Sequence, residues 1–437
     1  MVALMTRSLR HRRPLPLLAA LAIPALALTA CSTEAETEDT TAEVSTEDEH
    51  DDEDEHEDEE GSGREEAATQ TPRVVTAYDG GLLVVDGLTL EVVADIELPG
   101  FNRLNPAGDG RHVLVSTTSG DEAGFQVLDM GTWSEGHGDH DHYYTAEPEL
   151  TDVVFSAETP GHAIPHGGVT TLFDDATGEI TFFDPSELGD GMPEVETTST
   201  PEAHHGFAFR LDDGSLVTTI GDEDSRSGML VTDADGTEIA SSEECPGVHG
   251  EAVAEGEVVI AGCDDGVLIY DGSEITKVAS PHEYGRIGNQ FTTADSTIAL
   301  GDYKHDPDQG LGLHEITLID TAAKTLQVIH LPEGVEYTFR DLARGPEGEA
   351  LVLGTDGALH VLDETTGDVV ASHPVIDAWE VPEEWQAAHP AIKVLGETAY
   401  VTDPANQQVH AVDIPTGEVY LTGDLPAAPN EMAVVTG

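Results

Sequence analysis

From residue 72 onward the apolar residues fall in short runs that alternate with polar ones, and each run is bounded by Gly, Asp or Pro. No long window places apolar side chains at helical spacing, so the period points to strands throughout and to an all-β domain. Clear examples are LLVVDG at 82–87, HVLVST at 112–117, GEITFFD at 178–184, GVLIYDG at 266–272, EITLID at 315–320, ALHVLDETTGDVV at 358–370 and VHAVDIPTGEVY at 409–420. Several share one grammar: an apolar strand ends in Asp, a Gly-containing turn follows, and a second strand returns. That is the outer hairpin of a propeller blade, and four strands per roughly 40 residues is the period of such folds.

Each blade should open with a short segment after a loop. Eight such openings are present, at 101–104, 162–168, 204–209, 248–253, 287–291, 339–343, 389–394 and 430–434. The last has no outer strands of its own, whereas 73–98 offers strands with no opening. The two ends are therefore expected to complete one blade together and to close an eight-bladed β-propeller. A seven-bladed ring is the rival, because the stretch from Ala146 to Thr159 is weakly patterned.

The ends divide the rest. Arg7, Arg10, Arg12 and Arg13 precede an apolar run to Leu28 and the tetrapeptide LTAC ending at Cys31. This has the form of an export signal over residues 1–30, and LTAC resembles a bacterial lipobox that would place a lipid on Cys31. The apolar run is too short for a lasting membrane span. Residues 32–70 hold 19 acids and one base, with almost no large apolar side chains, so 31–71 is expected to be a disordered acidic tether. The remaining chain, 72–437, keeps 68 acids against 12 Lys and Arg, a balance that excludes nucleic-acid binding and suits divalent cations or a high-salt habitat. Cys245 and Cys263, exported with the chain, are expected to form a disulfide.

The candidate chemistry is histidine. His137, His140 and His142 alternate with Gly138, Asp139 and Asp141 in a polar stretch that reads as a flexible loop for cations, and His50 and His56 lie in the acidic tether. His162 and His166 sit in a tight Gly- and Pro-rich backbone and read as fixed ligands. In a propeller the opening strands line the central channel, so residues far apart in sequence converge there. The openings present His162 and His166, His204 and His205, His249 with Glu251, Asp341, and His389. Imidazole with carboxylate is an oxygen and nitrogen donor set suited to zinc, whereas copper(I) would want sulfur.

The combination of PGHAIPHGG, HHGFAF, CPGVHGEA followed by GCDDGVLIYDG, and YVTDPANQQVHAVDIPTGEV resembles the AztD family of zinc metallochaperones over nearly all of 72–437. The resemblance implies a β-propeller outside the cytoplasmic membrane that binds Zn2+ and passes it to the solute-binding protein of a zinc ABC transporter. It also implies a mobile His/Asp segment, here 137–142, joined by His50 and His56. The lipobox and acidic arm depart from a free periplasmic protein and imply anchoring on the outer face of the cytoplasmic membrane. Two other readings fit a propeller. One is a zinc-dependent hydrolase or lactonase with Glu251 beside His249 as general base, and the other is a plain interaction platform. No nucleophile elbow, phosphate loop or haem motif suggests a reaction.

Overall fold

The structure, a computed structural model, describes residues 63–117, 123–138 and 140–437. The export signal, Cys31, His50, His56 and Asp139 lie outside the described residues. The domain is an eight-bladed β-propeller: eight four-stranded antiparallel sheets, seven of them in chain order from first to fourth strand. Blade 1 comprises 73–97 completed by Met432–Val435, and blades 2 to 8 span 102–156, 160–199, 208–242, 249–279, 290–330, 342–374 and 392–424. Arg73–Tyr78 pairs with Met432–Val435 in antiparallel register, Arg73 opposite Val435. The two ends of the chain thus share one blade, as the orphan strands in the sequence required, and the seven-bladed count falls.

The burial pattern follows from the architecture. The second and third strands of a blade are covered on both faces by neighbouring blades, so Gly81–Asp86, Val258–Cys263 and Ala358–Leu362 are almost continuously buried. Fourth strands lie at the rim and alternate, as in Val92–Glu97 and Thr325–His330. Eight apolar clusters result, one per seam between adjacent blades. The seam between blades 4 and 5 holds 13 buried residues around Phe207, Phe209 and Tyr270. The seam between blades 3 and 4 holds only four, Phe173, Ile180, Phe182 and Ala208.

The turn grammar has a physical basis. Asp86, Asp363 and Asp413 each accept backbone N–H groups from the turn that follows them. The fifth residue of that turn is left-handed: Gly178 (φ 71°), Gly367 (φ 73°) and Gly417 (φ 71°) occupy it, and in two blades Leu90 (φ 57°) and Lys324 (φ 54°) do. Cys245, in the connection into blade 5, bonds to Cys263 at the end of that blade's second strand, 18 residues on. Closing a loop of that length restricts the unfolded chain by roughly 3 kcal/mol.

Two expectations change. Residues 63–71 are not tether: Glu65–Ala67 pairs with His140–Thr145, and the Gln70 side chain donates to the Gly437 carbonyl. The stretch around 137–142 is not an irregular loop either. Thr132–His137 and His140–Thr145 form a hairpin inserted between the third and fourth strands of blade 2. Its apolar side is aromatic, with Trp133 stacked on Tyr144 and Arg111 over Trp133. Gly138 (φ 66°) takes the left-handed backbone that such a hairpin tip wants, and the polar tip masked the pattern.

Asp341 was among the openings, yet it is fully buried, and its carboxylate accepts from the backbone N–H and hydroxyl of Thr338. Burial pushes its pKa up to about 8 against the Thr338 hydrogen bonds. Because the folded value is raised, the folded state holds a proton that the unfolded chain releases near about 4. Its contribution is complete below that pH and fades as pH rises to about 8. Urea titrations of the parent and Asp341→Asn between pH 4 and 8 should therefore diverge, the parent losing stability relative to the variant as pH rises. Parallel curves would show that Asp341 is ionised in the folded protein.

Candidate metal centre

Antiparallel order within each blade fixes two faces. First strands begin on one, here the upper face, and end on the lower; the turns joining second to third strands and the links between blades are upper, and the remaining turns are lower. His162 lies near the upper end of Pro160–His166, His205 in the link before Ala208–Arg210, and His249 at the start of His249–Ala254. These belong to blades 3, 4 and 5. One nitrogen from each can be chosen so that all three lie within 4.8 Å of one another. The ring centroids are 5.1 to 5.6 Å apart.

Local backbone irregularities aim these rings. The pairing of Pro160–His166 with its neighbour slips by one residue between Pro160 and Ala163, and that of His249–Ala254 slips between His249 and Glu251. Each bulge carries a glycine the site needs. A Cβ on Gly161 would strike the Asp175 carboxylate, and one on Gly250 (φ 72°) would strike the Gly288 carbonyl. Bulges of this kind re-aim side chains beside functional sites.

Every ring is held by its Nδ1. His205 Nδ1 lies 2.6 Å from Asp175 Oδ2, His249 Nδ1 donates to the Gly288 carbonyl at 2.7 Å, and His162 Nδ1 stands 3.1 and 3.4 Å from the two oxygens of Glu251. An Nδ1 that donates leaves its lone pair on Nε2, so Nε2 is the free donor of each of the three clustered rings. Carboxylate or carbonyl behind each imidazole is the usual outer shell of a zinc site. Burial, aided by the charge of His162, lowers the His249 pKa to about 2, so that ring is neutral at physiological pH. Burial works the same way on His162, but the charge and hydrogen bond of Glu251 overcome it and raise its pKa. A metal arriving there displaces a proton.

The other expected residues do not join this group. His204, one position from His205, is buried, with Nδ1 against the Glu202 carbonyl and Nε2 against the Thr219 hydroxyl, so both nitrogens are spent. His389 is buried against Phe339, with Nδ1 bonded to the Ala387 carbonyl and Arg340 alongside; burial, followed by the Arg340 charge, lowers its pKa to about 4. Glu251 stands behind His162 as its partner. His166, four residues along the same strand from His162 and hence about 13 Å away, belongs to a lower-face group with Asp212 and Glu257. Its Nε2 is 2.9 Å from Glu257. His137, His140 and His142 form a third, exposed group on the hairpin, where His142 also meets Glu66. That hairpin leaves blade 2 by a lower-face turn, whereas the trio is on the upper face. Asp141, in the same hairpin, is exposed and outside the group.

Sequence reading missed Asp175 and Gly288. In FDDATG, Asp174 serves the turn by accepting from Ala176 N–H and the Thr177 hydroxyl, which leaves Asp175 surplus to it. That surplus acid in an Asp–Gly turn was the available signal, but its histidine lies 30 residues on and only the fold brings the two together. The Gly288 carbonyl carried none.

No family model matches the chain. The curated zinc chaperone AztD of Citrobacter koseri is 24% identical over 334 residues, covering 76% of this chain and 78% of that protein. The crystal structure of Citrobacter koseri AztD aligns with TM-score 0.71 at 22% identity, over 84% of this chain and 99% of that one. Its apo form gives 0.69 at 21%, over 84% and 98%. The dihydro-haem d1 dehydrogenase NirN shares the fold at TM-score 0.52 and 11% identity, over 84% and 75%. The chain is AztD-like in sequence, and its fold is that of these propellers.

Asp175→Asn and Glu251→Gln should each weaken zinc binding by roughly 10- to 100-fold while leaving circular dichroism unchanged, the effect expected of outer-shell partners. Competition with a chromophoric chelator measures it. Unchanged affinity in both variants would show that the trio is not the tight site.

Proposed function

We propose that this AztD-like chain is an extracytoplasmic zinc metallochaperone that holds Zn2+ on His162, His205 and His249 and delivers it to the solute-binding protein of a zinc ABC transporter. The observation that carries the reading is the set of three clustered imidazoles, each bonded through Nδ1 to a carboxylate or carbonyl so that Nε2 is left as its free donor. Three imidazoles leave a fourth position of a tetrahedral ion open. His205 and His249 line an upper-face cavity of about 440 Å³, so an acceptor's ligand has a route to that position. Lipidation of Cys31 would keep the protein at the outer face of the cytoplasmic membrane, and the anionic surface would concentrate cations around it.

The hairpin residues His137, His140 and His142, with Asp139 and Asp141 beside them, form in this reading a separate capture site. They spring from the face opposite the trio, which argues against their displacing the trio's ligands one by one. His50 and His56 would extend the same capture role along the acidic arm. The hydrolase reading needs Glu251 as a free base, but both its oxygens are turned to His162.

Stopped-flow transfer from the loaded protein to the zinc-free solute-binding protein should run faster than release to a chelator and accelerate with acceptor concentration. Changing His137, His140 and His142 to Ser should abolish a second, weaker zinc equivalent and spare this transfer. Transfer at the spontaneous off-rate, independent of acceptor, would rule out direct handover.

A further inference from the structure

Bases are scarce in this chain: residues 71–437 carry 12 Lys and Arg against 68 Asp and Glu. Three of the 12, Arg103, Arg286 and Lys304, nevertheless line the one upper-face cavity that His205 and His249 also line. In so acidic a protein each base has on average more than five carboxylates to choose from. The expected arrangement is a base paired with an acid, as Arg111 is with Asp129 and Arg344 with Glu364.

Arg286 follows that rule by donating to Asp264 Oδ1 at 2.7 Å. Arg103 and Lys304 do not. Among the described residues neither has an acidic partner; Arg103 lies over the Trp385 ring at 5.8 Å, and Lys304 meets Arg286 only through backbone hydrogen bonds. Among the described residues Asp302 is the only carboxylate on the cavity wall, and it is turned into its own loop. Its oxygens accept from Gly288 N–H at 2.6 Å, Asn289 N–H at 3.1 Å and Asn289 Nδ2 at 2.7 Å. Phe339 and Trp385 supply apolar wall, where charge is poorly screened.

Charge accounting sharpens the point. A zinc ion on the trio brings two positive charges, and Asp175 and Glu251 behind it offset them. Arg286 is offset by Asp264. What remains on the concave wall, shared with two of the three rings, is Arg103 and Lys304 against the single carboxylate of Asp302, a net positive charge. A guanidinium and an ammonium lining one half-enclosed cavity suit a small oxyanion.

We propose that this cavity binds a small oxyanion, a carboxylate, bicarbonate or phosphate, through Arg103 and Lys304, and that the anion occupies the open coordination position of the zinc held by His162, His205 and His249. The anion site is argued from the cavity itself; its coupling to zinc rests on the metal reading above. Binding of the two is then mutually reinforcing, and by linkage each tightens the other by the same factor. The anion would be a retention device: it fills the position that an acceptor's ligand must take, so exchange with that ligand becomes the step of release.

The test uses the full-length protein and inorganic phosphate as the probe. Calorimetric titration should show phosphate binding to the metal-free protein and binding at least about tenfold tighter to the zinc-loaded one, a coupling of about 1.4 kcal/mol. Chelator competition should show zinc affinity raised by the same factor when phosphate is present. Arg103→Ala with Lys304→Ala should remove phosphate binding in both states while zinc stoichiometry persists, and Arg103→Lys should restore part of it, which separates lost binding from lost fold. Displacement of phosphate by acetate would assign the site to carboxylates as well. If zinc binds but phosphate binds neither form, or binds the double variant as well as the parent, the anion site is overturned and the zinc reading stands. If phosphate binds the metal-free protein and no zinc binds the trio, the coupling and the zinc reading fall together and the anion site stands alone.

Discussion

Closure of the ring is the constraint on which everything else depends. A blade of four strands has two apolar faces, and both are removed from water only if a blade stands on either side. An open row of eight would leave two faces exposed, with strands as continuously apolar as Gly81–Asp86 at one edge. The pairing of Arg73–Tyr78 with Met432–Val435 prevents this by building the first blade from both ends of the chain. It also completes the seams on either side of blade 1, where Val74 and Val75 face different neighbours. Once closed, the ring fixes the inner ends of all eight blades, and residues nearly 90 positions apart, such as His162 and His249, become neighbours.

The candidate metal centre lies beside the thinnest seam of that ring. Its three rings come from blades 3, 4 and 5, and the seam between blades 3 and 4 is the smallest of the eight. The next seam is the largest and contains the Cys245–Cys263 bond. An ion shared by His162, His205 and His249 would tie the thin seam to the thick one, so metal occupancy and stability are linked through the folded state. The electrostatic arrangement is layered in the same way. Carboxylates stand behind two of the rings and a carbonyl behind the third, whereas bases line the cavity in front. In the proposed function a cation would be drawn inward by a strongly acidic exterior and would then meet a site with bases at its mouth.

Much of this was legible in the sequence. The eight openings, the Asp and Gly turns and the shared first blade are all local signals with a fixed period, and each fell within a few residues of its place. What the period could not tell was which nitrogen faces where. His204 and His205 are adjacent, yet one satisfies Thr219 and the other Asp175, a choice set by the link between blades. His162 and His166 share a strand, but distance along it assigns them to opposite ends of the channel. His389 and Asp341 occupy openings and serve the fold, because burial behind Phe339 or against Thr338 leaves them no access. The hairpin was read as featureless because its tip is polar and its aromatic base is short. The cationic cavity had a signal too, the rarity of Arg and Lys, but only the fold brings Arg103, Arg286 and Lys304 together.

The account stands or falls on where the ion sits. An anomalous diffraction map of crystals of the zinc-loaded protein, collected across the zinc absorption edge, locates it directly. The account predicts a dominant peak about 2.0 to 2.1 Å from the Nε2 atoms of His162, His205 and His249, with each Nδ1 still on its carboxylate or carbonyl. A dominant peak at His166, Asp212 and Glu257 or on the hairpin, with the trio unoccupied, would contradict it.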